Sequence, residues 1–180
     1  KLVITGPTEV TAGVAESVTV KAEDSHSNVD KTYSEVITFD STDSQARVGG
    51  DVVPSTQTIT NGQSNYSIEL RTKGLQDIEV YKAGLSTGTW ESINVKSNDV
   101  TKFTLTIDGL SLDDAVTIDM SLDVTVKATD NYGNINELYC STVTFTSSCP
   151  ERTLPPPYQF TTSGSPDNGE HTWIDGLILS

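Results

Sequence analysis

Several groups of residues in this chain have types and spacings that could do chemistry, and each needs a particular local structure to do it. Gly84-Leu85-Ser86-Thr87-Gly88 has the spacing of a nucleophile elbow, which exposes its serine only where a strand turns sharply into a helix. The residues that follow, Thr89-Trp90-Glu91-Ser92-Ile93-Asn94-Val95, read as another strand. His26 and His171 are the only imidazoles, and His26 falls in a predicted turn, so no catalytic residue and no enzyme activity are expected. Residues 24–28 and 130–134 place Asp and Asn at matching strand ends. Their oxygens could bind calcium at a hinge between modules, with Asp24, Asp130 and Asn134 as ligands. The alternative is that these side chains bond local backbone and accept left-handed turns. No EF-hand spacing is present.

Cys140 and Cys149 flank a strand predicted over residues 141–146. An extended strand puts their Cα atoms roughly 25 to 30 Å apart at about 3.3 Å per residue, whereas a disulfide needs about 4.4 to 6.8 Å. A direct bond therefore requires that segment to be something other than a strand. Links to another subunit, an intrachain bond through a loop, and free thiols all stay open. Asn65-Tyr66-Ser67 is a glycosylation sequon. Tyr132, Tyr158 and Trp173 are candidate ligand contacts if they stand on one exposed face, Tyr158 following the stiff Pro155-Pro156-Pro157 run. Lys21 and Lys127 invite comparison with self-formed Lys–Asn bonds, but alternation points both outward.

The elements that must position these residues follow from an internal repeat. Val18-Thr19-Val20-Lys21-Ala22-Glu23-Asp24 recurs as Val124-Thr125-Val126-Lys127-Ala128-Thr129-Asp130, and the register then holds without a gap for about two dozen residues, with a small shift further on. Asn28 answers Asn134, Tyr33 answers Tyr139, and Thr38-Phe39 answers Thr144-Phe145. Lys1-Leu2 answers Lys102-Phe103, and Val53-Pro54 answers Leu154-Pro155. Two copies of one module are expected, residues 1–95 and 96–180. Within each copy the apolar period is two: Val18, Val20 and Ala22 alternate with Thr19, Lys21 and Glu23, and Tyr66, Ile68 and Leu70 alternate with Ser67, Glu69 and Arg71. Asn61-Gly62, Lys73-Gly74, Gly133-Asn134 and Asn168-Gly169 mark the turns between strands. Residues 89–95 read as a connecting strand that hands over to the second copy.

Composition narrows the partners. The chain carries 25 acidic and 11 basic residues, a formal charge of -14. Up to residue 95 there are 7 basic and 13 acidic residues, and after it 4 and 12, so the halves carry -6 and -8. An acidic surface spread over both copies repels phosphate backbones, and nucleic acid is not an expected partner. No apolar run reaches the roughly 18 to 20 residues of a membrane span. The sequence opens at Lys1, inside a strand and without Met, from which a preceding leader or earlier domains are expected.

The order Gly6-Pro7, Val10-Thr11-Ala12-Gly13, Val18-Thr19-Val20, Asp24, Tyr33 and a Thr-x-Phe strand resembles the tandem bacterial Ig-like repeats of large prokaryotic surface proteins. The second copy is nearer that pattern, with Ala128-Thr129-Asp130-Asn131-Tyr132-Gly133-Asn134, Val143-Thr144-Phe145-Thr146-Ser147, Tyr158-Gln159-Phe160-Thr161 and Asn168-Gly169-Glu170-His171-Thr172-Trp173. The resemblance covers nearly the whole chain. It implies an all-β protein of two tandem immunoglobulin-like β-sandwich domains, used extracellularly as a stalk, fibre subunit or surface-layer element that self-associates. The rival expectations are an adhesive or carbohydrate-binding module with a glycan partner, and a virion fibre or decoration protein.

By comparison with the first copy, the second stops before its last strand. Three explanations are open: the natural chain continues, a neighbouring subunit donates the strand in a head-to-tail polymer, or residues 177–179 fill the role.

Overall fold

The computed structural model describes residues 1–107, 120–148 and 152–179. Strands and turns account for all of the regular structure there, with no helix among the described residues. The chain divides into two compact units, Lys1–Asn98 and Asp99–Ser180. The division falls slightly later than the repeat predicts, because the last strand of unit 1 runs to Lys96 and Asn98 donates its side-chain amide to Ala12 O at 3.0 Å.

Unit 1 contains β1 (Leu2–Thr5), β2 (Glu9–Thr11), β3 (Ala15–Ala22), β4 (Glu35–Ser41), β5 (Arg47–Val48), β6 (Asp51–Val52), β7 (Ser55–Ile59), β8 (Gln63–Glu69), β9 (Gly74–Tyr81) and β10 (Gly88–Lys96). They form two five-stranded sheets, β1-β3-β8-β5-β6 and β2-β10-β9-β4-β7. The alternation does what its period demands. Val18, Val20 and Ala22 on β3 and Tyr66 and Ile68 on β8 are buried, while the residues between them face outward or lie half-buried. Phe39 and Ile37 on β4 and Ile78 and Val80 on β9 close the core from the other sheet. Burying each such side chain contributes about 1.5–3 kcal/mol, and no single pair dominates. The ring of Tyr66 meets Phe39 edge-on across the two sheets at 5.0 Å.

β10 is not a connector. Trp90, Ile93 and Val95 are buried in unit 1, and β10 lies between β2 and β9. A bulge between Trp90 and Ile93, with Ser92 at φ 57°, shifts the parity by one residue and keeps both side chains inward.

Unit 2 contains β11 (Lys102–Ile107), β12 (Met120–Thr129), β13 (Thr142–Val143), β14 (Arg152–Thr153), β15 (Tyr158–Gln159) and β16 (Glu170–Leu179). The sheet order β11-β12-β16-β14, with β13 paired to β15, repeats part of unit 1 strand for strand. Val124 opposes Trp173 as Val18 opposes Tyr66, and Phe145 meets Trp173 edge-on at 5.0 Å as Phe39 meets Tyr66. The twin Asn-Gly turns agree as well. Asn61 and Asn168 both have φ 52°. Gly62 and Gly169, at φ 73° and 75°, lie against the carbonyls of Asp30 and Asn136, where any Cβ would collide.

The described residues of unit 1 form ten strands and those of unit 2 six, with no counterpart of β9 or β10 among the latter. Residues 177–179 do not supply the shortfall. They belong to β16, where Leu177 pairs with Leu122, Ile178 with Thr153 and Leu179 with Arg152. The strand predicted over residues 141–146 is reduced to Thr142–Val143.

Candidate functional site

Among the described residues of unit 2, a cluster of polar and aromatic side chains surrounds Asp167. It lies in the loop between β15 and β16, four residues before His171, and that spacing brings the carboxylate back to the imidazole at the strand's start. Asp167 Oδ1 accepts a hydrogen bond from the Tyr158 hydroxyl at 2.9 Å and lies 3.1 Å from His171 Nδ1. Oδ2 accepts from the Thr161 backbone N–H at 2.6 Å and from its hydroxyl at 3.0 Å. His171 stacks on Tyr158 at 3.7 Å between ring centroids and meets Trp173 edge-on at 4.5 Å.

The electrostatics follow from these contacts. Burial by itself would raise the Asp167 carboxyl, but hydrogen bonds from Thr161, Tyr158 and His171 outweigh it and hold the group below the usual carboxylate range. Burial, the shared hydrogen bond and the neighbouring negative charge push the Tyr158 hydroxyl up. What the arrangement does is mechanical: one carboxylate ties β15, the loop after it and the first turn of β16 together. Asp167→Ala should destabilise unit 2 by about 1–2 kcal/mol, the net worth of hydrogen bonds to a charged carboxylate from partly exposed donors. Urea unfolding followed through Trp173 checks this.

The sequence-derived candidates are distributed differently from a ligand face. Trp173 is only 8% exposed and sits in the core with Val124, Val126, Val143 and Phe160, so it is a packing residue and not a surface platform. Tyr158 and Tyr132 are half-buried, Tyr158 on the His171 ring. Asn65 is exposed on β8, and its side-chain oxygen accepts from the Thr19 hydroxyl at 2.8 Å. Cys140 is exposed and outside any disulfide. Cys149 lies outside the described residues, as does any bond it makes.

Asp24 and Asp130 belong to separate units and do the same local task in each. Asp24 Oδ1 accepts from the backbone N–H groups of His26 and Asn28 at 2.8 and 2.9 Å. Asp130 Oδ1 accepts from those of Tyr132 and Asn134 at 2.9 Å each, and its Oδ2 accepts from the Asn134 side-chain amide at 2.8 Å. The bonds to Asn28 and His26 keep the Asp24 carboxyl below its ordinary range. This is the geometry of a turn closed by an Asp side chain. A calcium ion takes six to eight oxygen ligands; here the carboxylate oxygens of each Asp accept from N–H donors of its own turn. Among the described residues, no three His, Cys, Asp or Glu side chains converge in a way that could hold a metal ion.

Gly84-Leu85-Ser86-Thr87-Gly88 forms the loop from β9 into β10. A strand follows where the nucleophile elbow needs a helix, and Ser86 O instead accepts from Leu2 N at 3.0 Å. Lys127 faces outward and pairs with Glu170 at 3.2 Å.

Sequence reasoning missed Asp43. Its side chain is 1% exposed, yet its oxygens accept from Arg71 N, Thr72 N, Gln45 N and the Thr72 hydroxyl. The available signal was its place just after a buried strand, followed two residues later by a backbone N–H that a turn leaves unpaired.

When the chain is compared with known proteins, no family model and no curated protein matches it.

Proposed function

We propose that this chain is a non-catalytic, load-bearing module of an extracellular surface protein or filament. The observation that carries the proposal is the pairing of β2 with β10. β2 follows β1 near the start of unit 1 and β10 ends the unit; the two run parallel, with Glu9, Val10 and Thr11 opposite Asn94, Val95 and Lys96. Asn94 N donates to Thr8 O at 3.0 Å and Ala12 N to Lys96 O at 2.8 Å, and Lys96 pairs with Glu9 at 2.6 Å. Tension applied along the polypeptide pulls parallel neighbours in opposite directions, so these bonds are loaded together in shear and must break together. An antiparallel hairpin pulled from its open end breaks one bond at a time.

Further support comes from the use of the acidic residues. The carboxylates of Asp24, Asp43, Asp130 and Asp167 all accept backbone N–H bonds within their own unit. The acidic surface suits a solvated exterior. No helix among the described residues is long and apolar enough to cross a membrane.

Single-molecule stretching of the chain tests the proposal. Unit 1 is expected to unfold as one event at a force well above that of unit 2, and Val10→Pro, which breaks the β2 ladder, should lower that force toward unit 2's. Equal forces for the two units, or no effect of Val10→Pro, would remove the support for a load-bearing role.

A further inference from the structure

The two Asn-Gly turns share one backbone shape, with Asn61 and Asn168 both at φ 52° and their glycines at 73° and 75°, and both asparagines are exposed. Their restraints differ. In unit 1, Asn61 N donates to Ser34 Oγ at 3.1 Å and Gly62 N donates to Tyr33 O at 2.8 Å. The register of the repeat puts Tyr139 and Cys140 where unit 1 has Tyr33 and Ser34. Yet among the described residues neither Asn168 N nor Gly169 N has a hydrogen-bond partner. A thiol accepts hydrogen bonds weakly, so Cys140 is a poor replacement for the Ser34 hydroxyl. What the second turn keeps is the bond from Ala128 N to Gly169 O at 2.8 Å, the equivalent of Ala22 N to Gly62 O in the first.

An asparagine side chain carries an electrophilic carbon, Cγ, that the backbone nitrogen of the next residue can reach. Glycine in that next position hinders the approach least, having no Cβ. Attack requires the peptide to swing until nitrogen and Cγ stand in near-attack geometry, and it requires the nitrogen to give up its proton. A hydrogen bond from that N–H to a carbonyl opposes both. In unit 1 the Gly62 N–H must leave Tyr33 O, and the turn must open locally, before reaction can begin. In unit 2 no such bond has to break.

We propose that Asn168 is a site of spontaneous imide formation and deamidation in the folded protein, while Asn61, the same dipeptide in the same turn, is held inert. Gly169 N passes its proton to water and bonds to Asn168 Cγ; the Cγ–Nδ2 bond breaks, and the side-chain nitrogen takes up a proton and leaves as ammonia. Water then opens the succinimide ring. Attack at Cγ gives aspartate, and attack at the main-chain carbonyl carbon gives isoaspartate, with the backbone rerouted through Cβ. Nothing is oxidised or reduced: water enters and ammonia leaves. Either product adds a carboxylate beside Asp167, whose oxygens hold Thr161, Tyr158 and His171. Isoaspartate also lengthens the backbone next to Gly169, which lies so close to Asn136 O that a Cβ there would collide. The site therefore couples the age of the molecule to the stability of unit 2. It does not depend on the load-bearing role, and its failure leaves that role untouched.

The test ages the full 180-residue chain in mildly alkaline buffer with a thiol reductant. Conversion at Asn61 and Asn168 is followed by peptide mapping with mass spectrometry, and isoaspartate is scored separately by enzymatic methylation. In the folded chain Asn168 should convert at least about tenfold faster than Asn61, the factor expected where two hydrogen bonds are missing. In urea the two rates should draw together, since only sequence context then separates them. Ser34→Ala, at an exposed position outside the core, removes one restraint on Asn61 and should speed its conversion about threefold or more. The converted chain should unfold at a lower urea concentration when followed through Trp173. Equal rates in the folded chain overturn the proposal, as does an excess at Asn168 that persists undiminished in urea. Ser34→Ala that leaves Asn61 unchanged, or a converted chain with an unchanged Trp173 midpoint, overturns it as well.

Discussion

Phe39→Ala should lower the stability of unit 1 by about 3–5 kcal/mol, the range for emptying an aromatic site in a closed core. Phe39 is 0% exposed and stands where the two sheets meet, its ring edge-on to Tyr66 at 5.0 Å and an interplanar angle of 65°. The loss combines the transfer of a phenyl ring, the cavity left behind, and about 0.5–1.5 kcal/mol of aromatic geometry. A unit of this size is stable by only about 5–15 kcal/mol, so much of the margin disappears.

The measurement is clean because each unit carries one of the chain's two tryptophans, Trp90 in unit 1 and Trp173 in unit 2. In a Trp173→Phe background, Trp90 fluorescence reports unit 1 by itself during urea unfolding. Val36→Ala is the control on the same strand. Val36 is 49% exposed, and its loss should fall within about 0.5 kcal/mol of the unsubstituted chain. The twin substitution Phe145→Ala should cost clearly less than Phe39→Ala, since Phe145 is half-buried and lines a cavity. Equal losses at the two phenylalanines would contradict that asymmetry.

The parts of the fold legible in the sequence are those set by neighbours two residues apart. Val18, Val20 and Ala22, and again Val124, Val126 and Ala128, face inward as their alternation predicts, and both Asn-Gly pairs make the turns they signal. β10 was not legible as a core strand, because its inward residues are Trp90, Ile93 and Val95. The bulge at Ser92 breaks the alternation that would have announced it. Residues 141–146 fail in the opposite sense. Their alternation is intact, but a strand needs partners on its edges, and β13 has only β15 among the described residues.

The site was less legible than the fold. Trp173 looks like a surface aromatic until register places it opposite Val124, in the position Tyr66 holds in unit 1. Asp24 and Asp130 stand out as a matched pair, but whether such a residue closes a turn or binds a cation depends on where backbone N–H groups point. Asp167 and Asp43 are two acidic residues among 25 in the sequence. What distinguishes Asp43 is its bonds from Arg71 and Thr72 in a segment distant in the chain, and Asp167 its bonds from Tyr158, Thr161 and His171 across one loop, neither of which strand alternation records.

Asp43→Ala should cost unit 1 about 3 kcal/mol or more, because it strands several buried donors at about 1–3 kcal/mol each. Asp43 sits in the loop after β4, and its Oδ2 accepts from the N–H groups of Arg71 and Thr72 at 2.6 and 2.9 Å, just past the end of β8. Its Oδ1 accepts from Gln45 N at 2.9 Å and the Thr72 hydroxyl at 2.6 Å. One carboxylate therefore fastens the two sheets' loops together. Asp43→Asn keeps the shape but turns an NH2 group toward N–H donors, so it should recover only part of the loss. The pH dependence separates charge from shape. Burial alone would raise the Asp43 carboxyl, but the bonds from Thr72, Arg71 and Gln45 prevail and hold it below the ordinary aspartate range. A lowered native value means the unfolded chain takes up the proton first as pH falls. The carboxylate's contribution is then complete above the ordinary aspartate range and is lost as the pH drops through the lowered one. Urea midpoints of unit 1 should fall less steeply with acid in Asp43→Asn than in the unsubstituted chain. Parallel acid limbs for the two proteins would mean that the carboxylate's charge is not what holds this loop.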